Sequence, residues 1–174
     1  MIIRTLRPDD APQLLAFESA NRAWFEQHID ARPPGFYSAQ GVGEHVADYL
    51  DQHARGQLHP CVLLDAGGAI IGRANLKNID TALGVAEVGY RIAHAHAGQG
   101  HASAALAHLK QLAQSEWRLS QLLALITIAN VASARVLQKN GFALQQPVFD
   151  LIEVGGVMMD GYLYRCELGA TGSA

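Results

Sequence analysis

The chain predicts a mixed α/β fold with helices on both faces of one sheet. The first observation behind this is the order of its apolar segments: strand, two helices, hairpin with a third strand, helix, strand, helix, hairpin. That order is not the strict strand–helix alternation of a doubly wound fold. The second is Leu122–Ile128, a nearly continuous apolar run of strand length, as a strand covered on both faces requires, which places it centrally in the sheet. The third is composition: 49% of the 174 residues are hydrophobic and 17% charged, enough for one substantial core and incompatible with intrinsic disorder.

Ile2–Leu6 reads as the first strand. Asp10, followed by Pro12 and Gln13, marks a helix start, and Leu14, Phe17, Trp24 and Phe25 fall near one face of that helix. Pro33 and Pro34 end it, because a proline ring clashes with helical backbone and removes a donor. Gly41 to Gly43 lead into a second short helix, with Val46, Tyr49, Leu50 and His53 at helical spacing and Gly56 past its end. Cys61–Leu64 and Ala69–Leu76 flank Asp65-Ala-Gly-Gly68 and form a hairpin. Val85–Ala93 is a strand with Gly89 inside it, where a bulge or a close backbone approach is expected. After Gly98-Gln99-Gly100, apolar residues from Ala102 to Ala113 repeat at i, i+3 and i+4, the clearest helix in the chain. A short helix from Val131 to Lys139 ends at Asn140-Gly141, and a hairpin from Phe142 to Leu168 turns at Gly155-Gly156. With no linker or repeat in between, residues 1–168 are expected to form a single domain and 169–174 a frayed tail.

Thirteen Lys and Arg against sixteen Asp and Glu give a net charge of −3, which provides no general attraction to nucleic acid or to an anionic membrane. Any anionic partner must be bound locally. No window approaches the roughly 18 uninterrupted apolar residues of a membrane helix. The N-terminus lacks a signal-peptide core, and Cys61 and Cys166 read as reduced thiols, so the expected location is cytoplasmic.

Gly98-Gln99-Gly100-His101-Ala102 follows a strand and opens a helix. Glycines there let successive N–H groups point outward at the partially positive helix end, a site for a pyrophosphate; a tight turn chosen for its backbone angles is the alternative. A dinucleotide fingerprint would need glycine at Ser103 and an acid at Asn130, and the Gly-Lys-Ser/Thr of a P-loop is absent. Asn130 and Ser133, at the next strand end and helix start, either cap that helix or hydrogen-bond a ligand lying between the two strands. His94, His96, His101 and His108 have no carboxylate or thiolate completing a ligand set, so no metal is expected; His101 is placed beside the pyrophosphate. No Gly-x-Ser-x-Gly elbow supports a serine hydrolase.

Taken together, Ala95-His-Ala-Gly98-Gln-Gly100 and Asn130-x-x-Ser133 through Lys139-Asn-Gly141-Phe142 resemble the paired hallmark of the GNAT superfamily of N-acetyltransferases. Glu87-Val-Gly89-Tyr90, Asn21-Arg22 and Arg32-Pro33 resemble its ribosomal-protein-alanine N-acetyltransferase branch. The resemblance implies a mostly antiparallel sheet of six to seven strands with a V-shaped splay between the two central strands. It implies acetyl-CoA as cosubstrate, held by Gly98, Gln99, Gly100, His101 and Ala102 with Asn130 and Ser133, and a backbone N–H near Ile92 that polarises the thioester carbonyl. The sequence departs from the pattern at Ala95, where the family has Arg or Gln, and at Leu137, where many members carry a tyrosine acid. Ser133 is then the implied acid for the departing thiolate and Glu87 the first candidate base, with Asp150 and Glu153 as alternatives. Tyr90 is assigned to sheet packing. The implied acceptor is a primary amine, first the N-terminal α-amine of a protein such as a ribosomal protein, with Trp24, Phe25 and the segment from Arg32 to Tyr37 shaping its pocket. A small amine (polyamine, amino acid or antibiotic) and a CoA-binding protein without catalysis are the alternatives, and both monomer and homodimer stay open.

Overall fold

A computed structural model describes residues 1–27, 29 and 31–169, so the expected frayed tail lies, from residue 170 on, outside the described residues. Seven strands, β1 (Ile2–Thr5), β2 (Leu58–Leu64), β3 (Ile70–Asp80), β4 (Val85–Ile92), β5 (Gln121–Thr127), β6 (Ala143–Val154) and β7 (Val157–Glu167), form one sheet in the order β1-β2-β3-β4-β5-β7-β6. Every neighbouring pair is antiparallel except β4 and β5, which run parallel. That pair holds register only at Val85–Gln121, Ala86–Leu122 and Glu87–Leu123. Beyond it both strands continue without touching in register, which is the V-shaped splay, and β5 has its predicted central place with β7 on its other side.

Helices α1 (Ala11–Ala20) and α3 (Ala39–Ala54), joined through the single turn α2 (Arg22–Phe25), pack on one face of the sheet; α4 (His101–Ser115) and α5 (Val131–Lys139) pack on the other. Leu106 and Leu109 of α4 lie against Ala74, Leu76, Val88 and Leu122. Leu14, Phe17, Val42 and Val46 lie against Val62 and Ile70. Each fully buried leucine of this kind stabilises the fold by about 1.5–3 kcal/mol. Among the described residues no helix is long and apolar enough to cross a membrane.

Local outcomes differ from the sequence reading where a tertiary partner wins. Asp10 does not cap α1 with its side chain; it takes the Arg4 guanidinium at 2.6 and 2.7 Å and the Arg7 N–H at 2.8 Å, since charge-assisted bonds outcompete a neutral cap. The first helix stops at Asn21, so Trp24 and Phe25 sit on a separate turn. Gly41 and Gly43 lie inside a 16-residue helix that Ser38 caps, because a Cβ at Gly41 would run into the Gly35 carbonyl and the Phe36 backbone. Gly89 forms no bulge; it pairs regularly with Asn75, and the irregularity falls between Lys77 and Asp80. Leu122 and Ala124 are buried but Leu125 is 40% exposed, so the apolar run of β5 is covered on one face and opens onto a cleft on the other.

Both cysteines are free and buried, and burial pushes the Cys61 thiol up to about 12, which leaves it unreactive at neutral pH. His59 is buried with a fixed neutral tautomer: the Trp117 indole donates to Nδ1 at 2.9 Å, so Nε2 carries the proton and donates to the Thr5 hydroxyl at 3.0 Å. Burial, then the neighbouring His53 and His108, lower its pKa from 6.5 to about 4. Between those values the unfolded chain binds a proton that the folded chain does not, so stability falls on acidification through this window. At 1.36 kcal/mol per unit the loss by pH 4 is on the order of 3 kcal/mol. Urea unfolding followed from pH 7.5 to pH 4.5 is expected to show this decline, and His59→Gln a visibly shallower one; equal slopes would remove His59 as its source.

Candidate active site

A cleft of about 860 Å³, half-open to solvent, passes through the splay. One wall comes from the start of α4 and α5, the other from α2, the segment after it, and the face of β3 and β4 turned toward α1 and α3. A shallower depression of about 540 Å³ between α4 and the end of α5 touches neither β4 nor β5.

On the first wall, Gly98 and Gly100 have φ of +74° and +84°, in the left-handed region that other residues adopt only with strain. Gly100 is the N-cap of α4 and supplies no side-chain acceptor, so the first-turn N–H groups stay open beside the cleft-lining Gly98, His101 and Ala102. An open row of donors at a helix N-terminus fits the diphosphate of acetyl-CoA. Gln99 does not join this wall; its amide donates to the Ala95 carbonyl at 3.0 Å and closes the loop behind it. The His101 ring stands 5.9 Å from that of His96.

Asn130 caps α5, its Oδ1 accepting the Ser133 N–H at 3.1 Å. Both residues also line the cleft, so capping and facing a ligand coexist in this pair. The Tyr90 hydroxyl lies next to Ser133, is buried, and makes no hydrogen bond of good geometry. Burial pushes its phenol above the usual value, and Ser133 partly offsets this. Leu137 is wholly buried and offers no proton. Ala93 N–H donates to Ile71 across β3 at 2.9 Å, so by strand alternation the Ile92 N–H faces the splay. The Trp24 indole donates to the Ile92 carbonyl at 3.3 Å, tying α2 to the same point.

On the second wall Glu87 is half-buried, lines the cleft opposite Lys77 in register, and accepts the Asn78 amide at 3.0 Å. Asp150 and Glu153 are exposed on β6 and do not line the cleft, although Leu151 and Ile152 between them do. A cluster that the sequence reading missed lies deeper. The Glu18 carboxylate, fully buried, accepts Arg73 at 2.7 Å and Arg91 at 3.1 Å, and Arg73 donates to His45 Nε2 at 2.8 Å. Burial raises the Glu18 pKa, but the charges of Arg91 and Arg73 outweigh it and hold the carboxyl below its usual range. Arg73 stands within Ile70-Ile-Gly-Arg-Ala74, and an arginine on a buried stretch of strand is the signal that an inward partner exists. Among the described residues no group of three or more His, Cys, Asp or Glu could hold a metal.

Comparison with known proteins bears on this geometry. A curated relative is a probable N-acetyltransferase, YjcK of Bacillus subtilis (strain 168), 28% identical over 160 residues, covering 91% of this chain and 88% of that one. The ribosomal-protein-S5-alanine acetyltransferase of Vibrio fischeri superposes with a TM-score of 0.92 at 20% identity, covering 98% and 94% of the two chains. A variant of the spermidine N-acetyltransferase SpeG of Vibrio cholerae gives 0.79 at 18%, covering 97% and 95%. At these identities the two structures establish the fold alone. The model of the acetyltransferase (GNAT) domain matches residues 1–143, and with that match the chain belongs to the GNAT family and is an acetyl-CoA-dependent N-acetyltransferase.

Proposed function

We propose that the protein acetylates, in the cytoplasm, the N-terminal α-amine of a protein such as a ribosomal protein, by direct attack within a ternary complex. The observation that supports this is the continuity of the cleft: it is half-open as a whole and runs from the cofactor wall through the splay to the wall of β3 and β4, which leaves room for a chain behind its terminal amine. Acetyl-CoA supplies the activated acetyl group. The open N–H groups after Gly98 and Gly100 hold its diphosphate, and the Ile92 N–H stabilises charge on the thioester oxygen, a contact worth about 3 kcal/mol in comparable sites. Glu87, directly or through one water, takes the proton lost from nitrogen as the N–C bond forms. Ser133 gives a proton to sulfur as the C–S bond breaks and recovers one from solvent, so one proton passes overall from nitrogen to sulfur. Holding both reactants in one cleft contributes about 7–11 kcal/mol when their alignment is ideal.

Purified protein with acetyl-CoA is expected to release free CoA when offered peptides beginning with Ala or Ser, and to do so faster than with small amines of equal basicity. Preferential turnover of a small amine would move the function to that class. Silence across the panel despite acetyl-CoA binding would overturn the proposal.

A further inference from the structure

The acceptor end of the cleft carries more positive charge than its packing requires. Arg73 and Arg91 stand opposite each other in register on β3 and β4, and both bond the single carboxylate of Glu18. Arg32 comes to the same wall from the segment after α2, its guanidinium 5.0 Å above the Phe36 ring. Among the described residues, Glu18 is the only carboxylate paired with any of the three. His45 adds no charge: it accepts from Arg73, and burial with the three nearby guanidiniums pushes its pKa down to about 3. Arginine does not shed its proton near neutrality, so among the described residues two positive charges remain unanswered on this wall.

Two buried polar atoms lining the same wall also lack partners, the Arg32 Nε–H donor and the Asn75 Oδ1 acceptor. Native structures rarely leave such groups unmade, and among the described residues neither atom has its complement. Asn75 is in register with Gly89, two pairs along from Arg73 and Arg91 and so on the same face, a step of about 7 Å on the sheet. An amide oxygen suits an amine N–H, and a guanidinium suits a carboxylate.

We propose that the acceptor is a primary amine whose own molecule carries a carboxylate a few bonds away, with Arg32 and Arg91 receiving that carboxylate and Asn75 the amine. An acidic side chain at the start of a peptide and a free amino acid share this chemistry. A polyamine, cationic along its length, meets repulsion on the same wall. The inference rests on the acceptor occupying the cleft end assigned above, and it specifies what that acceptor carries.

The test reads binding without turnover. In the presence of CoA, calorimetry compares N-acetylated peptides that differ only in Glu or Lys at the second position, together with N-acetylglutamate and N-acetylspermidine. The acid-bearing peptide is expected to bind about tenfold more tightly than its lysine counterpart. Arg32→Gln is expected to erase most of that ratio and Arg32→Lys to restore part of it. Among the described residues Arg32 makes no hydrogen bond or ion pair and stacks over the Phe36 ring, so the substitution breaks no polar pair, and retained CoA binding reports the fold. Tighter binding of N-acetylglutamate than of the peptides would identify a free amino acid as the source. Equal binding of acid and lysine ligands, preference for N-acetylspermidine, or a ratio untouched by Arg32→Gln would overturn the inference. Acetylation assays on the unmodified ligands separate the two readings: acid preference without turnover defeats α-amine transfer alone, and peptide turnover without charge preference defeats the carboxylate site alone.

Discussion

Glu18→Ala is expected to destabilise the protein by about 3–5 kcal/mol, the usual cost of removing one partner from a buried ion pair. For a chain of this length that corresponds to a fall in Tm on the order of 10 °C or more. The physical cause is the charge left behind. Arg73 is 3% exposed and its donors are committed to Glu18 and His45, so without the carboxylate a buried guanidinium keeps a neutral imidazole and the face of the Tyr49 ring, neither of which carries the opposite charge. Arg91 loses its bond to the same carboxylate, and the two arginines, opposite in register, then repel each other without a mediator. Thermal unfolding checks this, and a double substitution identifies the mechanism: Glu18→Met with Arg73→Leu is expected to lose less than the two single changes summed, because both charges leave together. Additive losses would mean that the ion pair contributes no coupling. The depressed Glu18 pKa also has a sign: its contribution is complete above the unfolded carboxylate value and is lost as pH falls through the lower folded value. That loss lies at more acid pH than the onset set by His59, so stability is expected to decline with acidification in two overlapping phases.

What the sequence revealed and what it hid follow from the range of each interaction. The glycine turn was readable because a positive φ at Gly98 and Gly100 is a local demand that few other residues meet. α4 and α5, the two hairpins and the central place of β5 were readable for the same reason, since periodicity and turn residues act over a few positions. Gly41 was misread as a helix boundary because its cause, the carbonyl of Gly35, is a tertiary contact with no periodic trace. Leu125 was read as covered because an apolar run does not reveal that its neighbour strand departs two residues earlier. The charged cluster was hardest to see: Glu18 meets Arg73 across 55 positions and Arg91 across 73, and each alone looks like an ordinary surface charge. Only the placement of Arg73 within an apolar strand hinted at it.

Ser133→Ala is expected to lower kcat by about 100-fold, within the range that a positioned general acid contributes, while acetyl-CoA affinity changes by less than about threefold. The split follows from position. Ser133 is in the first turn of α5, where alanine is a good helix former, and its N–H, not its hydroxyl, completes the Asn130 cap. The proposed cofactor grip, in the open N–H groups at the start of α4, is untouched by the change. Tyr90 sharpens the test. Its buried hydroxyl has no good hydrogen bond and stands beside Ser133, so Tyr90→Phe removes an unsatisfied group and is expected to leave stability unchanged or slightly raised. If the phenol steadies the serine hydroxyl during proton transfer, the same substitution lowers kcat less than Ser133→Ala does, and the double variant is no slower than Ser133→Ala alone. Pre-steady-state CoA release with a saturating peptide measures this. An unchanged kcat in Ser133→Ala would leave protonation of the thiolate to solvent, and a Tyr90→Phe defect that persists undiminished without Ser133 would make the phenol itself the proton donor.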